Sequence, residues 1–506
     1  MGPLPSGWLA LGARSSTLIA MDSKSRARTV GELKHSGWRP RSVRDEIREN
    51  LARRLRDGRP LFPGLHGYED TVVRDLVHAL LSRHDILLLG LRGQGKTRLL
   101  RQIPSLLDEW MPALATPLRD DPLRPVSSEG RKLLEAGGDD TPVVWVHRDD
   151  RYREKLATPD VTMADIVGDI DPVKAVSQGL GFSHEDALHW GLVPRSNRGI
   201  FALNELPDLQ PRIQVGLLNL LEERDVQIRG VPVRLELDVL FLFSANPEDY
   251  TQRGNLITPL KDRIGSQILT HYPADTAVSR TITDQEAWTD RGLPVHVPEP
   301  LREALEQIAF EARAMTELVD PRSGVSQRLS ITALELAVGS AEARALRSGQ
   351  EAVRVRLSDL FAAAPAVCGK LELMSETDGP KPAALALVGK ACQTVFDATF
   401  KNPYDKRRKD PSENPDFPVV SWFESGNRME LDADSSDADH SRNLSSLPGL
   451  DEVMGALARD TSWKPGVERD AWREIFLEGL HQHGRISREL RQGALRFGDL
   501  ISGIMR

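Results

Sequence analysis

The stretch DILLLGLRGQGKT, residues 85–97, runs a continuous apolar segment into a glycine-rich loop and on toward a helix. Four aliphatic residues, Ile86 to Leu89, bounded by Asp85 and Gly90, predict a short strand buried on both faces. Beyond the loop, Leu99, Leu100, Ile103, Leu106, Leu107 and Trp110 fall at helical spacing and predict an amphipathic helix. The loop itself, GLRGQGKT at 90–97, fits GxxxxGK followed by Thr in the strand-loop-helix setting that the pattern requires. Glycine lets successive N–H groups turn inward around phosphate oxygens, where side chains at Gly90 and Gly95 would obstruct. The helix N-terminus adds a partial positive charge. Gly90, Leu91, Arg92, Gly93, Gln94, Gly95, Lys96, Thr97 and Arg98 are therefore the expected ATP cradle. Lys96 would reach the outer phosphates, and the Thr97 hydroxyl would ligate the accompanying Mg2+.

Further apolar runs at 143–146, 200–203, 239–243 and 267–269 alternate with helical or polar segments, the pattern of a parallel α/β sheet. Ile213, Leu217, Leu220 and Leu221 form another helical stripe, and VQIRGVPVRL (226–235) reads as a small hairpin across Gly230. The expected organisation is a basic and acidic helical extension over 1–60, with an exposed helix flanking the core, and a nucleotide-binding α/β domain over 61–275. A helical lid over 276–400, a polar linker over 401–449 and a helical segment over 450–506 complete it.

The strand GIFAL leads into NELPDL, so that Asn204 and Glu205 stand where a nucleotide-hydrolysing site would carry two acids. Glu205 is placed to orient the attacking water or accept its proton. Asn204 keeps a carbonyl oxygen toward the waters of the metal but drops a negative charge, worth about 4 kcal/mol at 4 Å with an effective dielectric near 20. Weaker Mg2+ binding and slower turnover are expected, with the chemistry retained, and Asp at 204 is expected to lower the Mg2+ requirement. The alternative is a site that binds nucleotide without cleaving it.

A formal charge of −8 over 506 residues gives no basic footprint for nucleic acid, and only two cysteines leave no disulfide framework or thiolate zinc site. No apolar run reaches the roughly 18 residues of a membrane span, and a reducing cytoplasm is the expected compartment. The opening MGPLPSGWLALGARSSTLIA reads as neither an export signal nor a convincing acylation site, and Met21 reads as an alternative initiator. HRDDRYRE at 147–154 is open to two readings, a charged turn or a weak metal site.

Joined to their surroundings, these motifs resemble the AAA+ ATPases of the magnesium-chelatase I-subunit and MoxR-like family over about residues 63–340. ADIVGDIDPVKAVSQG followed by GLVPRSNRGIFALNE is similar to the chelatase insert that precedes the acid-bearing strand, here at about 165–197. LPDLQPRIQVGLLNLLEERDVQIRG is similar to the MoxR helix and hairpin. The resemblance implies an α/β fold, the AAA+ P-loop αβα sandwich with a five-stranded parallel sheet, followed by an all-helical lid domain and a helical C-terminal tail. It implies Asn246 as a polar sensor, Arg263 in TPLKDRIGSQI as an arginine finger, and Arg328 in SGVSQRLS as a second sensor, with Arg322 as a competitor. It also implies a homo-oligomeric ring, most commonly a hexamer, acting on a client protein with a separate partner that carries a von Willebrand factor A (VWA) domain. Two other readings stay open: a sigma-factor-interacting transcriptional activator, whose DNA-binding helices would lie in the tail, and an ATP-binding scaffold with little hydrolysis.

Overall fold

The computed structural model describes residues 26–500 apart from 178, 180–183, 223–227, 229–234, 248–255, 375–378, 404–410 and 492. Continuous aliphatic runs cannot rest at a surface, and here they form the inside of a sheet covered on both faces. Strands β1 (Ile86–Leu89), β2 (Tyr152–Leu156), β3 (Gly199–Asn204), β4 (Val239–Ala245) and β5 (Ser266–Leu269) are ordered β2-β3-β4-β1-β5, every pair parallel. Because side chains alternate along a strand, Ile200, Ala202, Leu240 and Leu242 pack on one side with Leu99, Leu100 and Ile103. Phe201, Leu203, Phe241 and Phe243 pack on the other with Ile213 and Leu217. The result is the expected three-layer α/β arrangement around a five-stranded parallel sheet.

The helices used below are α1 (Val43–Arg56), α2 (Lys96–Gln102), α3 (Pro211–Glu222), α4 (Thr258–Arg263), α5 (Glu299–Ala314) and α6 (Arg328–Ser348). Among the described residues no helix is long and apolar enough to cross a membrane. The opening twenty residues and most of the 226–235 hairpin lie outside the described residues, apart from Ile228 and Leu235.

The structure revises several expectations. Helix α2 ends at Gln102, with Pro104 in the following 3-10 turn, and Trp110 opens the strand Trp110–Ala113 instead of closing the helical stripe. The run at 143–146 is not part of the main sheet: Val144–His147 pairs antiparallel with Trp110–Ala113. Its place is taken by β2, whose polar sequence YREKL suits an edge strand. Residues 148–151 form the charged turn that leads into it, and among the described residues no cluster of His, Cys, Asp and Glu could hold a metal.

Helix α1 is also no loose flank. Val43, Ile47 and Leu51 enter the sheet core, and Arg151, just before β2, makes two 2.7 Å bonds to the Glu46 carboxylate with both partners buried. Removing one partner of such a pair strands a charge in a poorly solvated place. Arg151→Ala is therefore expected to lower unfolding stability by about 3–5 kcal/mol in urea titration, and a loss below about 1 kcal/mol would contradict the pairing as drawn.

The described part of the 401–449 stretch is structured too. The helices Phe417–Glu424 and Asp437–Ser445 and the strand Met429–Leu431 insert Val419, Val420, Phe423, Leu431 and Leu444 into one apolar cluster that runs from Leu301 to Phe497. The dense apolar run FPVVSWF at 417–423 carried that core, set between the polar segments on either side of it. The tail beyond it is not wholly helical: Ser487–Arg491 and Ala494–Gly498 form a hairpin that pairs with Met429–Leu431. Gly493, at a φ of 85°, supports the turn, and Leu495 and Phe497 face the core at strand spacing. Residues 487–498 therefore supply no helix to a helix-turn-helix.

Candidate functional site

In a parallel sheet the loops beyond the strand C-termini share one edge, and ligands bind there, where the strand order reverses. In this chain that edge carries the loop after β1, Asn204 and Glu205 at the end of β3, Asn246 after β4 and Thr270 after β5. Four separate pieces of sequence are brought together by the register alone.

The loop is built for close approach. Gly93 and Gly95 hold φ near +73° and +72°. A Cβ on Gly90 would stand 2.0 Å from Thr270 Oγ1, and one on Gly93 would stand 1.9 Å from Ser326 Oγ. At Gly95 that point meets open space, so the constraint on the residue is conformational. Gly95 also precedes α2 without a side-chain cap, so the first helical N–H groups are not satisfied by a cap at 95. A cradle of this kind fits a phosphate. Tyr68 steadies it from below, its hydroxyl 2.6 Å from Gln94 O and 2.8 Å from His271 O, and burial pushes the phenol up to about 12. Thr270 Oγ1 donates to Gln94 Oε1 at 2.7 Å.

Lys96 is buried, and its Nζ donates to Gly90 O, to Leu91 O at 3.1 Å and to Asn246 Oδ1 at 2.6 Å. Asn246 Nδ2 in turn donates to Glu205 Oε2 at 2.8 Å. The polarity of this chain is fixed by its ends, since an ammonium only donates and a carboxylate only accepts. Glu205 adopts φ 55° and ψ 49°, the left-handed region, which costs a non-glycine residue about 1–3 kcal/mol. Ser244 Oγ, 3.3 Å from its N–H, helps to hold it there. Backbone strain of this kind clusters at functional positions.

Asn204 is buried beside this chain. Its Oδ1 accepts from Ser244 Oγ at 2.9 Å, and its Nδ2 donates to Glu154 Oε1 at 2.6 Å. Thr97, the second residue of α2, is half-buried. Arg98 pairs with Glu286 on the helix Thr276–Glu286, and Arg92 binds Ser323 O at 2.8 Å and Glu372.

The two arginines expected to act from farther away are placed differently. Arg263, the last residue of α4, is held by Glu222 at the end of α3, 2.6 Å from Nη2 to Oε2. Arg328 opens α6 and is exposed, two residues beyond the Ser326 that abuts Gly93. Its competitor Arg322 pairs with Asp320 at 2.9 Å.

Sequence reading missed several residues. Tyr272 donates to Arg92 O at 2.8 Å, and Arg313 of α5 stacks 4.1 Å above the Tyr272 ring, its guanidinium lowered to about 10 by burial. These contacts couple the helical region to the glycine loop. Glu154, the partner of Asn204, was also missed; its only sequence signal was its place in the charged HRDDRYRE stretch.

No protein-family model matches the chain. It is 26% identical over 240 residues to magnesium-chelatase subunit ChlI of Anabaena variabilis, covering 46% of this chain and 66% of that one. Against the chloroplastic subunit ChlI-1 of Arabidopsis thaliana it is 28% identical over 199 residues, covering 38% and 44%. Across the first three curated relatives it matches, the chain spans between 49% and 66% of their length. Among solved structures, a magnesium-chelatase BchI–BchD complex built from a cryo-EM reconstruction aligns at 22% identity and TM-score 0.33, covering 64% of this chain and 98% of that one. With its glycine loop on a five-stranded parallel sheet, the chain is similar over somewhat less than half of its length to the magnesium-chelatase I-subunits.

Proposed function

We propose that the chain is a ring-forming ATPase that binds Mg2+·ATP against residues 90–98 and hydrolyses it with Glu205. The observation that carries this reading is the polar chain from Lys96 through Asn246 to Glu205 at the mouth of the glycine loop. The main-chain amides of the loop and the start of α2 would bind the triphosphate, and Lys96 would leave its carbonyl partners for the outer phosphates. Thr97 and Asn204 would hold Mg2+, which supplies neutralisation of charge on the phosphate oxygens. Glu205 would take the proton of a water that Asn246 helps to orient.

Arg263 would come from a neighbouring subunit, so that a homo-oligomer, a hexamer by the family resemblance, completes the site. Arg328 would link the lid to the bound phosphates. Hydrolysis would then be read out as movement of the helical region and of the insert near 165–197, to remodel a client protein or to support metal insertion with a VWA-domain partner in the cytoplasm. The second reading, a scaffold that binds ATP with little turnover, draws on Asn204 alone. The sigma-factor activator reading would need DNA-binding helices in the tail, of which residues 487–498 supply none.

Lys96→Ala tests the site itself. Charge-assisted bonds of this kind contribute about 1.5–3 kcal/mol, so a fluorescent ATP analogue should bind about tenfold to a hundredfold more weakly. Unchanged affinity in a folded variant would overturn the assignment of the loop.

A further inference from the structure

We propose that Glu154 supplies the metal-side carboxylate that position 204 lacks, so that Asn204 and Glu154 form a split acid on two adjacent strands. The inference rests on the reading of the cleft as a Mg2+·ATP site.

Strand register brings the two residues together. In the parallel pairing of β2 with β3, Glu154 lies opposite Ala202 and Leu156 opposite Asn204. Side chains two apart on a strand share a face, so Glu154 and Asn204 project to the same side of the sheet. That side faces α2, which begins with Lys96 and Thr97. The Glu154 side chain reaches forward along the strand until Oε1 stands 2.6 Å from Asn204 Nδ2.

This contact explains the residue type at 204. A carboxylate only accepts hydrogen bonds, and the amide offers it a donor while its own Oδ1 takes the Ser244 hydroxyl. Aspartate at 204 would set two carboxylates at the same short separation, and one of them would have to keep a proton. Besides Glu205, the strand end therefore carries one further carboxylate, that of Glu154, as it would with an aspartate at 204. Position 204 has exchanged its charge with a neighbour, and the expectation that Asn204→Asp alone lowers the Mg2+ requirement no longer holds.

The remaining contacts of Glu154 draw it toward the helix that bears the phosphate loop. Arg101 of α2 donates from Nε to Oε2 at 2.8 Å and from Nη2 to Oε1 at 3.2 Å, and the Tyr152 hydroxyl lies 3.2 Å from Oε2. Arg101 is 64% exposed and Glu154 only 20%, so the guanidinium is largely hydrated while the carboxylate faces inward. A carboxylate in this place can bind the waters of a metal ion, which is the role that Asn204 fills weakly.

The test is the Mg2+ dependence of fluorescent ATP-analogue binding, measured on the full chain in a Glu205→Gln background to suppress turnover. Outer-shell partners of a metal typically matter tenfold to a hundredfold. Glu154→Gln, which keeps the size of the side chain, should raise the Mg2+ concentration for half-maximal binding by about tenfold or more, with affinity in EDTA unchanged. Adding Asn204→Asp to Glu154→Gln should return it to within about twofold of the starting protein. Arg101→Gln, which removes the same ion pair from the other side, should leave it within about twofold.

An unchanged Mg2+ requirement in Glu154→Gln, a double variant that fails to recover, or an Arg101→Gln that copies Glu154→Gln would each overturn the proposal while leaving the nucleotide site intact. If the starting protein bound the analogue without any Mg2+ dependence, or not at all, the underlying reading of the cleft would fail first.

Discussion

Glu205→Gln is expected to bind nucleotide as the parent does and to release phosphate about a hundredfold to ten-thousandfold more slowly, the usual contribution of a positioned base. The substitution is mild in structural terms, because Gln retains an oxygen for Asn246 Nδ2, now 2.8 Å from Glu205 Oε2. It also leaves the left-handed backbone at 205 unaltered in its cost. What it removes is the capacity to accept a proton. Steady-state phosphate release and analogue binding, measured side by side, separate the two functions. Equal and near-zero rates in parent and variant would favour the scaffold, with Asn204 as its cause.

Arg263→Ala is expected to reduce phosphate release about 10³–10⁵-fold, the range found when a guanidinium that neutralises the transferring phosphoryl group is lost. In the protomer Arg263 is occupied by Glu222, with bonds of 2.7 Å from Nε and 2.6 Å from Nη2. To act on a neighbour it must exchange that carboxylate for a phosphate, which the planar guanidinium does without change of charge or shape. Mixing Arg263→Ala with Lys96→Ala protein should recover part of the activity, since mixed rings pair an intact finger with an intact loop. Absence of any recovery, with assembly confirmed by light scattering, would contradict a finger supplied by a neighbouring subunit.

The sequence made β1, the glycine loop and the start of α2 legible because their pattern is local: an aliphatic run, spaced glycines and a Lys-Thr pair. The strands ending at Asn204 and Ala245 were legible for the same reason, being buried on both faces along their whole length. The second strand was misplaced because Tyr152–Leu156 is an edge strand of mixed polarity, while the apolar residues upstream of it belong to a separate antiparallel pair. The polar segments after residue 400 concealed the core there, since its residues Val419 and Phe423, Leu431, and Leu444 are divided among three short elements.

Within the site, Lys96 and Glu205 came from motifs, but the partnership of Glu154 with Asn204 depends on how β2 lies beside β3. Spacing along one chain does not encode that juxtaposition. The departure at 204 could be seen from the sequence, whereas the residue that offsets it is visible only once the two strands are side by side.

The central claim is that one nucleotide sits on the loop of residues 90–97 with Glu205 facing its terminal phosphate. A crystal structure with Mg2+ and a non-hydrolysable ATP analogue measures this directly. The terminal phosphate is expected within hydrogen-bonding reach of Lys96 Nζ, with a water held between it and the Glu205 carboxylate. An analogue bound away from the loop, or a Glu205 turned out of the cleft with no water between it and the phosphate, would contradict it.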